Sequence, residues 1–286
     1  MPELPETETI ARDLDGALRG AVLRSVEVLR ADVLRPRTAT TALGALRGAA
    51  IAKVWRRAKS IVIELRSAVP HGTAESAGAR SAAYAVVVTP RFTGALLLDG
   101  DADEAYTCLR FSLADGRLLR YHDVRRLGTV AVLDPAGFAA WESTLGPEPL
   151  DPDLSAERFS GIIRGSRRAV KTILMDQRRL AGVGNIYANE ALWRAGIRPS
   201  ARGASVTRAR TSALLDSLRS VLRESIALRG TTFRDFRDAY GERGGFAAKL
   251  QAYGRAGQPC LRCGNALRST HKLEGRQTVW CAQCQK

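Results

Sequence analysis

The sequence of 286 residues contains little lysine and no long apolar run, and each shortage bears on what the chain can be. A membrane-spanning helix needs roughly 18–20 consecutive apolar residues, and no stretch approaches that length. The first residues, MPELPETETI, are acidic and polar, unlike the basic and apolar regions of a secretory signal. We therefore expect a cytoplasmic protein, associated with the nucleoid in a bacterium, with no membrane segment.

The scarcity of lysine makes the basic charge almost entirely arginine. Only 6 of the 44 basic residues are lysine, which leaves 38 arginines, and the 29 acidic residues bring the net charge to +15. Arginine presents a planar fork of donors that suits phosphates and guanine edges. A GC-rich genome also favours arginine, so the sign of the charge is firmer evidence than the residue type. We expect a polyanionic partner, with nucleic acid as the leading candidate.

Apolar periodicity separates the chain into a β-rich first half and a helical second half. Residues 7–19 have helical spacing, and alternating runs typical of strands follow as far as residue 123. The small, polar residues 67–83 indicate a surface loop. We expect four parts: a β domain over 1–134, a Pro-rich hinge over 135–154, a helical domain over 155–250 and a zinc finger over 251–286.

Four of the five cysteines form two CxxC pairs near the C-terminus. Cys260 and Cys263 are followed, after seventeen residues, by Cys281 and Cys284, while Cys108 stands alone. This spacing fits one tetrahedral Zn²⁺ held by four sulfurs, and it leaves no open position for water. We therefore expect a structural zinc. Two disulfides are the alternative, which a cytoplasmic chain disfavours.

Two weaker features bear on chemistry. Gly182 and Gly184 precede a helix that begins near Asn185, an arrangement that suits phosphate binding, although glycines between helices usually only turn the chain. If Met1 is removed, Pro2 becomes a secondary amine with a pKa of about 8, able to attack a sugar C1′ at neutral pH. Glu3 beside it is suited to general acid/base work. The alternative is that the Pro-Glu pair is an extended leader.

Taken together, these features resemble a known family. PELPE at the start, GVGNIYANEAL in the helical half and YGRAGQPC with the two CxxC pairs at the end occur in the order and at the spacing of the formamidopyrimidine-DNA glycosylase/endonuclease VIII family of base-excision repair enzymes. RRAKSIVIEL, DVRRLGT, LGPEPL, VKTILMDQ and GTTFRDF extend the resemblance over essentially the whole chain. Leu4 favours the formamidopyrimidine branch.

The resemblance implies an α+β fold: an N-terminal antiparallel β-sandwich with one N-terminal helix, then a helical domain with a helix-two-turn-helix motif and a four-cysteine zinc ribbon. It also implies a monomeric glycosylase and abasic-site (AP) lyase acting on damaged DNA, in duplex form. Such an enzyme must flip the damaged nucleotide out of the helix. It then cuts the strand by β- and δ-elimination through a Schiff base.

Site residues follow by matching motif positions. Pro2 matches the family's nucleophile, Glu3 its general acid, and Lys59 a hairpin lysine that contacts DNA and supports catalysis, although a strand-end lysine is also common for solubility. The phosphate contacts match Arg167, Lys171, Asn185 and Arg276. The positions that line the lesion pocket match Glu6, Thr231 and Thr232, each of which also reads as a helix cap or turn residue.

The chain departs from the family pattern at the residues that fill the void left by the flipped base. Phe92 stands where the family has Met, and Leu127 where it has Phe, while Arg126 is retained. Phe and Leu both unstack bases, so the resemblance implies that they act as wedges. A packed strand residue is the alternative for Phe92. Cys108 matches a DNA-contacting histidine of the family.

Three hypotheses follow. The first is a bifunctional glycosylase/AP lyase for oxidised purines such as 8-oxoguanine or formamidopyrimidines. The second is a paralogue that acts on oxidised pyrimidines, abasic sites or bulky adducts, motivated by the altered wedge residues. The third is a catalytically silent binder of damaged DNA, which the retained Pro2, Glu3 and Lys59 disfavour.

Overall fold

The computed structural model describes residues 2–36, 39–66, 83–99 and 104–286, and it contains two compact units. The first comprises Met1–Ser143 with Arg229–Gly244, and the second comprises Thr144–Leu228 with Gly245–Lys286. Among the described residues, no helix combines the length and the apolarity needed to cross a membrane.

Helix α1 (Leu4–Leu18) opens the first unit and begins three residues earlier than the apolar spacing predicts. The reason is a capping box, in which Glu3 and Glu6 each accept a hydrogen bond from the other's backbone N–H. A proline in the first turn also costs no hydrogen bond there. The apolar stripe of Ile10, Leu14 and Leu18 is fully buried.

Two four-stranded sheets follow, ordered β1-β6-β7-β5 and β2-β3-β4-β8, with antiparallel pairing throughout. One apolar core contains residues of both sheets and of α1, as expected for a β-sandwich. Strand β8 does not appear among the predicted strands, and it pairs with β4 in the register Thr89↔Thr129. The strands are β1 (Leu23–Val28), β2 (Ala50–Arg57), β3 (Ser60–Arg66), β4 (Ala83–Thr89), β5 (Gly94–Leu98), β6 (Thr107–Leu113), β7 (Leu118–Asp123) and β8 (Thr129–Leu133).

Two further helices belong to the first unit, α2 (Ala39–Gly44) and α3 (Pro135–Glu142). Helix α3 lies within the residues expected to form a hinge. Asp134 caps its N-terminus, and Phe138 and Trp141 pack on the face of the second sheet that carries Val62 and Val87. The loop expected over 67–83 lies almost entirely outside the described residues.

The segment Arg229–Gly244 packs with the β unit, although it follows the helices in sequence. Phe236 and Ala239 join the sandwich core, and the backbone N–H of Leu98 donates to the carbonyl of Ala239 at 2.8 Å. The sequence pattern assigns these residues to the helical domain, because a short irregular segment carries no periodicity that would report a distant packing partner.

The second unit consists of four helices and a two-stranded hairpin: α4 (Ala156–Arg164), α5 (Val170–Met175), α6 (Asn185–Arg194), α7 (Arg208–Ala227), β9 (Arg268–Thr270) and β10 (Thr278–Trp280). Helix α5 is much shorter than the run RRAVKTILMDQRRL suggests. The side chain of Gln177 ends it, donating to the carbonyls of Met175 and Val183 and accepting from the N–H of Gly182. The predicted α+β class, with its β-sandwich and helical unit, is confirmed.

Candidate active site and nucleic-acid interface

Pro2 and Glu3 are buried at the head of α1. The Glu3 carboxylate accepts from the backbone N–H of Glu6, and the Glu3 N–H donates to Glu6 Oε2 at 2.8 Å. These bonds fix the carboxylate directly beside the proline. Met1 itself lies outside the described residues.

Glu6 joins this cap to the segment that follows α7. Its second oxygen, Oε1, accepts from the backbone N–H of Thr231 at 2.7 Å. Gly230 has φ = 87°, and a Cβ there would lie 3.1 Å from Glu6 Oε1, so the close approach requires glycine. Thr232 accepts from the N–H of Gly244 and donates to the carbonyl of Phe236. These contacts are of the cap and turn kind, and the lesion-pocket role of all three residues stays a prediction.

Lys59 lies at the turn between β2 and β3, next to Ala58, whose φ is +56°. The turn is held by Arg56, which donates to the carbonyl of Ala58 at 3.0 Å and to Glu8 on α1 at 2.8 Å. Burial alone would raise the pKa of Glu8, but Arg56 and then Arg12 outweigh it and hold that pKa below its usual range. The hairpin that carries Lys59 is thus fastened to the helix that begins after Pro2 and Glu3.

The three void-filling candidates lie on two exposed turns of the first unit. Phe92 is 37% exposed and Leu127 is 40% exposed, so Phe92 is not a packed core residue. Phe92 and Arg126 both have positive φ, 45° and 51°. The guanidinium of Arg126 pairs with Asp32 at 3.1 Å.

Cys108 does not occupy the exposed position expected of a DNA contact. It is completely buried in the sandwich core, with Sγ near the carbonyl oxygens of Tyr106 and Asp123. Burial, followed by the nearby carboxylates of Asp123 and Asp32, raises its pKa to about 11. Its strand position points it inward, which the motif comparison alone does not reveal.

In the second unit, three of the predicted phosphate-contact residues meet at the hairpin. Asn185, at the start of α6, and Lys171, on α5, both donate to the carbonyl of Gln277, and Arg276 is the preceding residue in the chain. Arg276 is exposed, as is Arg167, which belongs to the segment just before α5. Lys171 is 1% exposed and also donates to Thr278 Oγ1 at 2.7 Å. Its ammonium group therefore anchors the hairpin in this structure.

Two polar residues of α6 that the motif comparison does not single out also hold the C-terminal segment. Asn189 Oδ1 accepts from the N–H of Val279, and the buried carboxylate of Glu190 accepts from the N–H groups of residues 251–253. Burial raises the pKa of Glu190, and the N–H donors offset only part of that effect. The sequence does offer one sign of their burial, because Asn189 and Glu190 lie between the apolar residues of the run IYANEALW.

The four paired cysteines form one cluster, with all four sulfurs within 4.8 Å of one another. All five cysteines of the chain are free thiols, so the disulfide alternative is not adopted. Four sulfurs this close repel one another when ionised unless a cation lies among them, and Zn²⁺ with Zn–S distances of about 2.3 Å fits the donor set.

Trp193, the ninth residue of α6, faces this cluster. Its indole N–H is buried and has no hydrogen-bond partner in the described part of the chain, and its ring packs in one cluster with Cys260 and Cys281. Arg262, between the first two cysteines, lies over the Trp193 ring at 4.1 Å and donates to the carbonyls of Trp193 and Arg194. A buried N–H without a partner beside the four sulfurs suits the extra negative charge of metal-bound thiolates, which is a further sign that the residues fit a metal.

The chain matches three family models in order. Residues 1–130 match the formamidopyrimidine-DNA glycosylase N-terminal domain, residues 145–237 the formamidopyrimidine-DNA glycosylase H2TH domain, and residues 257–286 the zinc finger found in FPG and IleRS. The chain belongs to the formamidopyrimidine-DNA glycosylase family. The resemblance drawn from its motifs is confirmed.

Individual members of the family are similar to this chain over nearly their full length. The chain is 37% identical to the formamidopyrimidine-DNA glycosylase of Heliobacterium modesticaldum, covering 100% of both. It is 33% identical to the MutM (Fpg) protein of Thermus thermophilus, with a TM-score of 0.83 and coverage of 99% and 98%. It is 29% identical to the wild-type Lactococcus lactis Fpg in complex with DNA containing N7-benzyl-Fapy-dG, with a TM-score of 0.86 and full coverage of both chains.

Membership confirms the predicted enzyme class, a DNA glycosylase with AP lyase activity, and a place in base-excision DNA repair. The zinc finger family and the four-cysteine cluster agree with the predicted metal site.

Proposed function

We propose that the protein excises oxidised bases from damaged duplex DNA, as a monomer, and then cuts the strand at the resulting abasic site with Pro2 as the nucleophile. The observation that carries this proposal is the buried Pro2-Glu3 pair, which the capping box holds at the head of α1. A carboxylate fixed beside a secondary amine is the arrangement that imine chemistry at a sugar carbon needs.

The Pro2 nitrogen bonds to C1′ as the bond from C1′ to the damaged base breaks, and the proton that the amine loses passes to the departing base. Glu3 then supplies a proton to the ring oxygen, so that the sugar ring opens and the nitrogen and C1′ form an iminium. The iminium withdraws electrons and acidifies the C2′ proton. Loss of that proton expels the 3′ phosphate, and a second elimination expels the 5′ phosphate. Hydrolysis then releases Pro2.

Lys59 is proposed to assist at this site, held by the turn that Arg56 fastens to α1. A cation beside the reacting strand both binds its phosphate and supports proton transfer. Glu6, Thr231 and Thr232 are proposed to line the lesion pocket, since Glu6 already joins the N-terminal cap to residue 231.

We propose that Arg167 and Arg276 contact the DNA backbone, and that Lys171 and Asn185 contribute to this interface by holding the hairpin that presents Arg276. Three of them converge on the Gln277 carbonyl or adjoin it, and the start of α6 adds the positive end of a helix dipole. Zn²⁺ bound by Cys260, Cys263, Cys281 and Cys284 holds the hairpin that carries Arg276, and with four protein ligands its role is structural.

For the lesion, we propose oxidised purines, with oxidised pyrimidines as the second candidate. The Lactococcus lactis relative has been crystallised with DNA carrying a formamidopyrimidine and with DNA carrying an oxidised pyrimidine. Phe92 and Leu127, which depart from the family pattern, are exposed side chains that would enter the void. They are the residues through which lesion choice is expected to differ.

The test is borohydride trapping on oligonucleotides that carry 8-oxoguanine, an oxidised pyrimidine or an abasic site. Mass spectrometry first establishes that Met1 has been removed. The proposal expects a covalent adduct with the wild-type enzyme that is lost in Pro2→Gly, while DNA affinity is retained. The ranking of substrates then decides between the two lesion classes.

A matched control is Pro5→Gly, which changes a proline of the same segment without touching the amine. Absence of an adduct on every substrate, with Met1 removed and DNA binding intact, would instead support a silent binder of damaged DNA.

A further inference from the structure

The two exposed turns that carry Phe92, Arg126 and Leu127 are joined beneath the surface by one carboxylate. Asp123, the last residue of β7, is 0% exposed, and its side chain accepts four hydrogen bonds. Oδ1 accepts from Thr93 Oγ1 at 2.6 Å and from the N–H of Arg125 at 3.2 Å. Oδ2 accepts from the N–H of Gly128 at 2.8 Å and from the Tyr121 hydroxyl at 3.2 Å.

The donors come from both turns, which is why the carboxylate links them. Thr93 belongs to the turn between β4 and β5, which carries Phe92, whereas Arg125 and Gly128 flank Arg126 and Leu127. Thr93 Oγ1 also accepts from the N–H of Arg125 at 3.0 Å, so the two turns bond to each other directly. A buried carboxylate is costly unless its oxygens are satisfied, so this set of donors specifies one arrangement of the turns.

The packing around the carboxylate leaves little room for any other arrangement. A Cβ on Gly128 would lie 1.9 Å from the Tyr121 hydroxyl and 2.9 Å from the carbonyl oxygen of Thr89. At the surface, the guanidinium of Arg125 lies 4.7 Å from the centre of the Phe92 ring, a second link between the turns. Phe92 and Arg126 adopt positive φ, which non-glycine residues keep only where the surroundings enforce it.

We propose that Asp123 is a positioning residue whose buried carboxylate clamps the Phe92 turn and the Arg126–Leu127 turn into one preformed wedge for insertion into DNA. The inference rests on the proposed function, in which these side chains enter the void left by the flipped nucleotide. A wedge that is already ordered loses less conformational freedom when it enters the duplex, so insertion is faster and tighter.

The test uses Thr93, because its hydroxyl can be removed with little change of shape. Thr93→Val deletes the donor to Asp123, and Thr93→Ser keeps it. Stopped-flow fluorescence of 2-aminopurine next to the lesion reports wedge insertion. Loss of one hydrogen bond to a charged acceptor is expected to slow insertion about 10-fold in Thr93→Val, whereas Thr93→Ser behaves like the wild type.

Borohydride trapping on a single-stranded oligonucleotide with a preformed abasic site provides the second readout. No base has to be displaced there, so Thr93→Val is expected to trap at the wild-type rate. If Thr93→Val slows trapping as much as insertion, or slows neither, the clamp is refuted. Asp123→Asn should show the same pattern more strongly, and if it fails to fold, the Thr93 pair still decides.

A double variant, Phe92→Ala with Leu127→Ala, separates the clamp from the proposed function. If it inserts as fast as the wild type, these residues are not a wedge, and that part of the proposed function fails together with the clamp. If it slows insertion while Thr93→Val does not, the wedge stands and the clamp alone is wrong.

Discussion

Lys171 and Asn185 donate to the same acceptor, because Lys171 Nζ and Asn185 Nδ2 each lie 3.1 Å from the carbonyl oxygen of Gln277. One residue belongs to α5 and the other to the first turn of α6, so the hairpin is anchored where the two helices come together. Arg276, which immediately precedes the shared carbonyl, is thereby held in a fixed place on the surface. The predicted phosphate contacts thus divide into two buried anchors, Lys171 and Asn185, and two exposed cations, Arg167 and Arg276.

This division predicts different effects of two substitutions. Arg276→Ala should weaken DNA binding and lower the slope of log affinity against log salt by about 0.9, the value for one phosphate contact on a duplex. Fluorescence anisotropy at several salt concentrations measures this slope. The exposed Arg223 on α7 supplies a control, and Arg223→Ala should leave the slope unchanged. An unchanged slope in Arg276→Ala would remove this arginine from the interface.

Lys171→Met should act on stability, since it removes the buried donor to Thr278 Oγ1 and leaves the Gln277 carbonyl with Asn185 as its side-chain donor. We expect a loss of about 1–3 kcal/mol in the free energy of unfolding, measured by denaturant titration of the zinc-loaded protein. A variant as stable as the wild type that only lost DNA affinity would show that the ammonium group binds phosphate directly.

The Glu8–Arg56 pair predicts a stability change with pH. The pKa of Glu8 is lowered in the folded protein, so its ionised form stabilises the fold above the unfolded value of roughly 4.3, and that contribution is lost as pH falls through the folded pKa. Glu8→Gln should cost about 1–2 kcal/mol at pH 7, and the difference from the wild type should shrink below about pH 4. Urea unfolding from pH 7 to pH 3 tests this, and a difference independent of pH would exclude an ionic contribution.

The burial of Cys108 predicts a count of reactive thiols. With a pKa of about 11, it carries almost no thiolate at pH 8, and it is shielded from reagent. A thiol reagent such as DTNB should find no reactive cysteine in the zinc-loaded protein, four after chelation and five after denaturation. Cys108→Ala should lower only the last count. A fifth thiol that reacts before denaturation would show that Cys108 is accessible.

The indole of Trp193 predicts a change in zinc retention. Trp193→Phe keeps an aromatic ring under Arg262 but removes the buried N–H that lies in the cluster with Cys260 and Cys281, and such outer groups typically change metal affinity by about 10–100-fold. We expect release of zinc to a chromogenic chelator to accelerate about 10-fold. Trp280→Phe, in the hairpin, is the matched control. Equal zinc-release rates in the two variants would show that Trp193 only packs against the cluster and that its N–H does not help to retain the metal.

The sequence determined the family, the fold class and the cysteines of the zinc finger, because these are recorded in local patterns. Two CxxC pairs bring four sulfurs to one metal wherever the finger lies, and the strand and helix periods report which face of each element is buried. The capping box of α1 is likewise a matter of Glu3 and Glu6, three residues apart. These patterns can be recognised without knowing which distant residues pack against them.

What only the tertiary structure decided are the contacts between residues far apart in the chain. The bond from Thr231 to Glu6, the packing of Phe236 in the β-sandwich core, the burial of Cys108 and Lys171, and the four donors around Asp123 all depend on which segments the fold brings together. From the sequence alone, Lys171 is expected to be an exposed cation. Its burial follows from acceptors more than a hundred residues away, which local patterns cannot report.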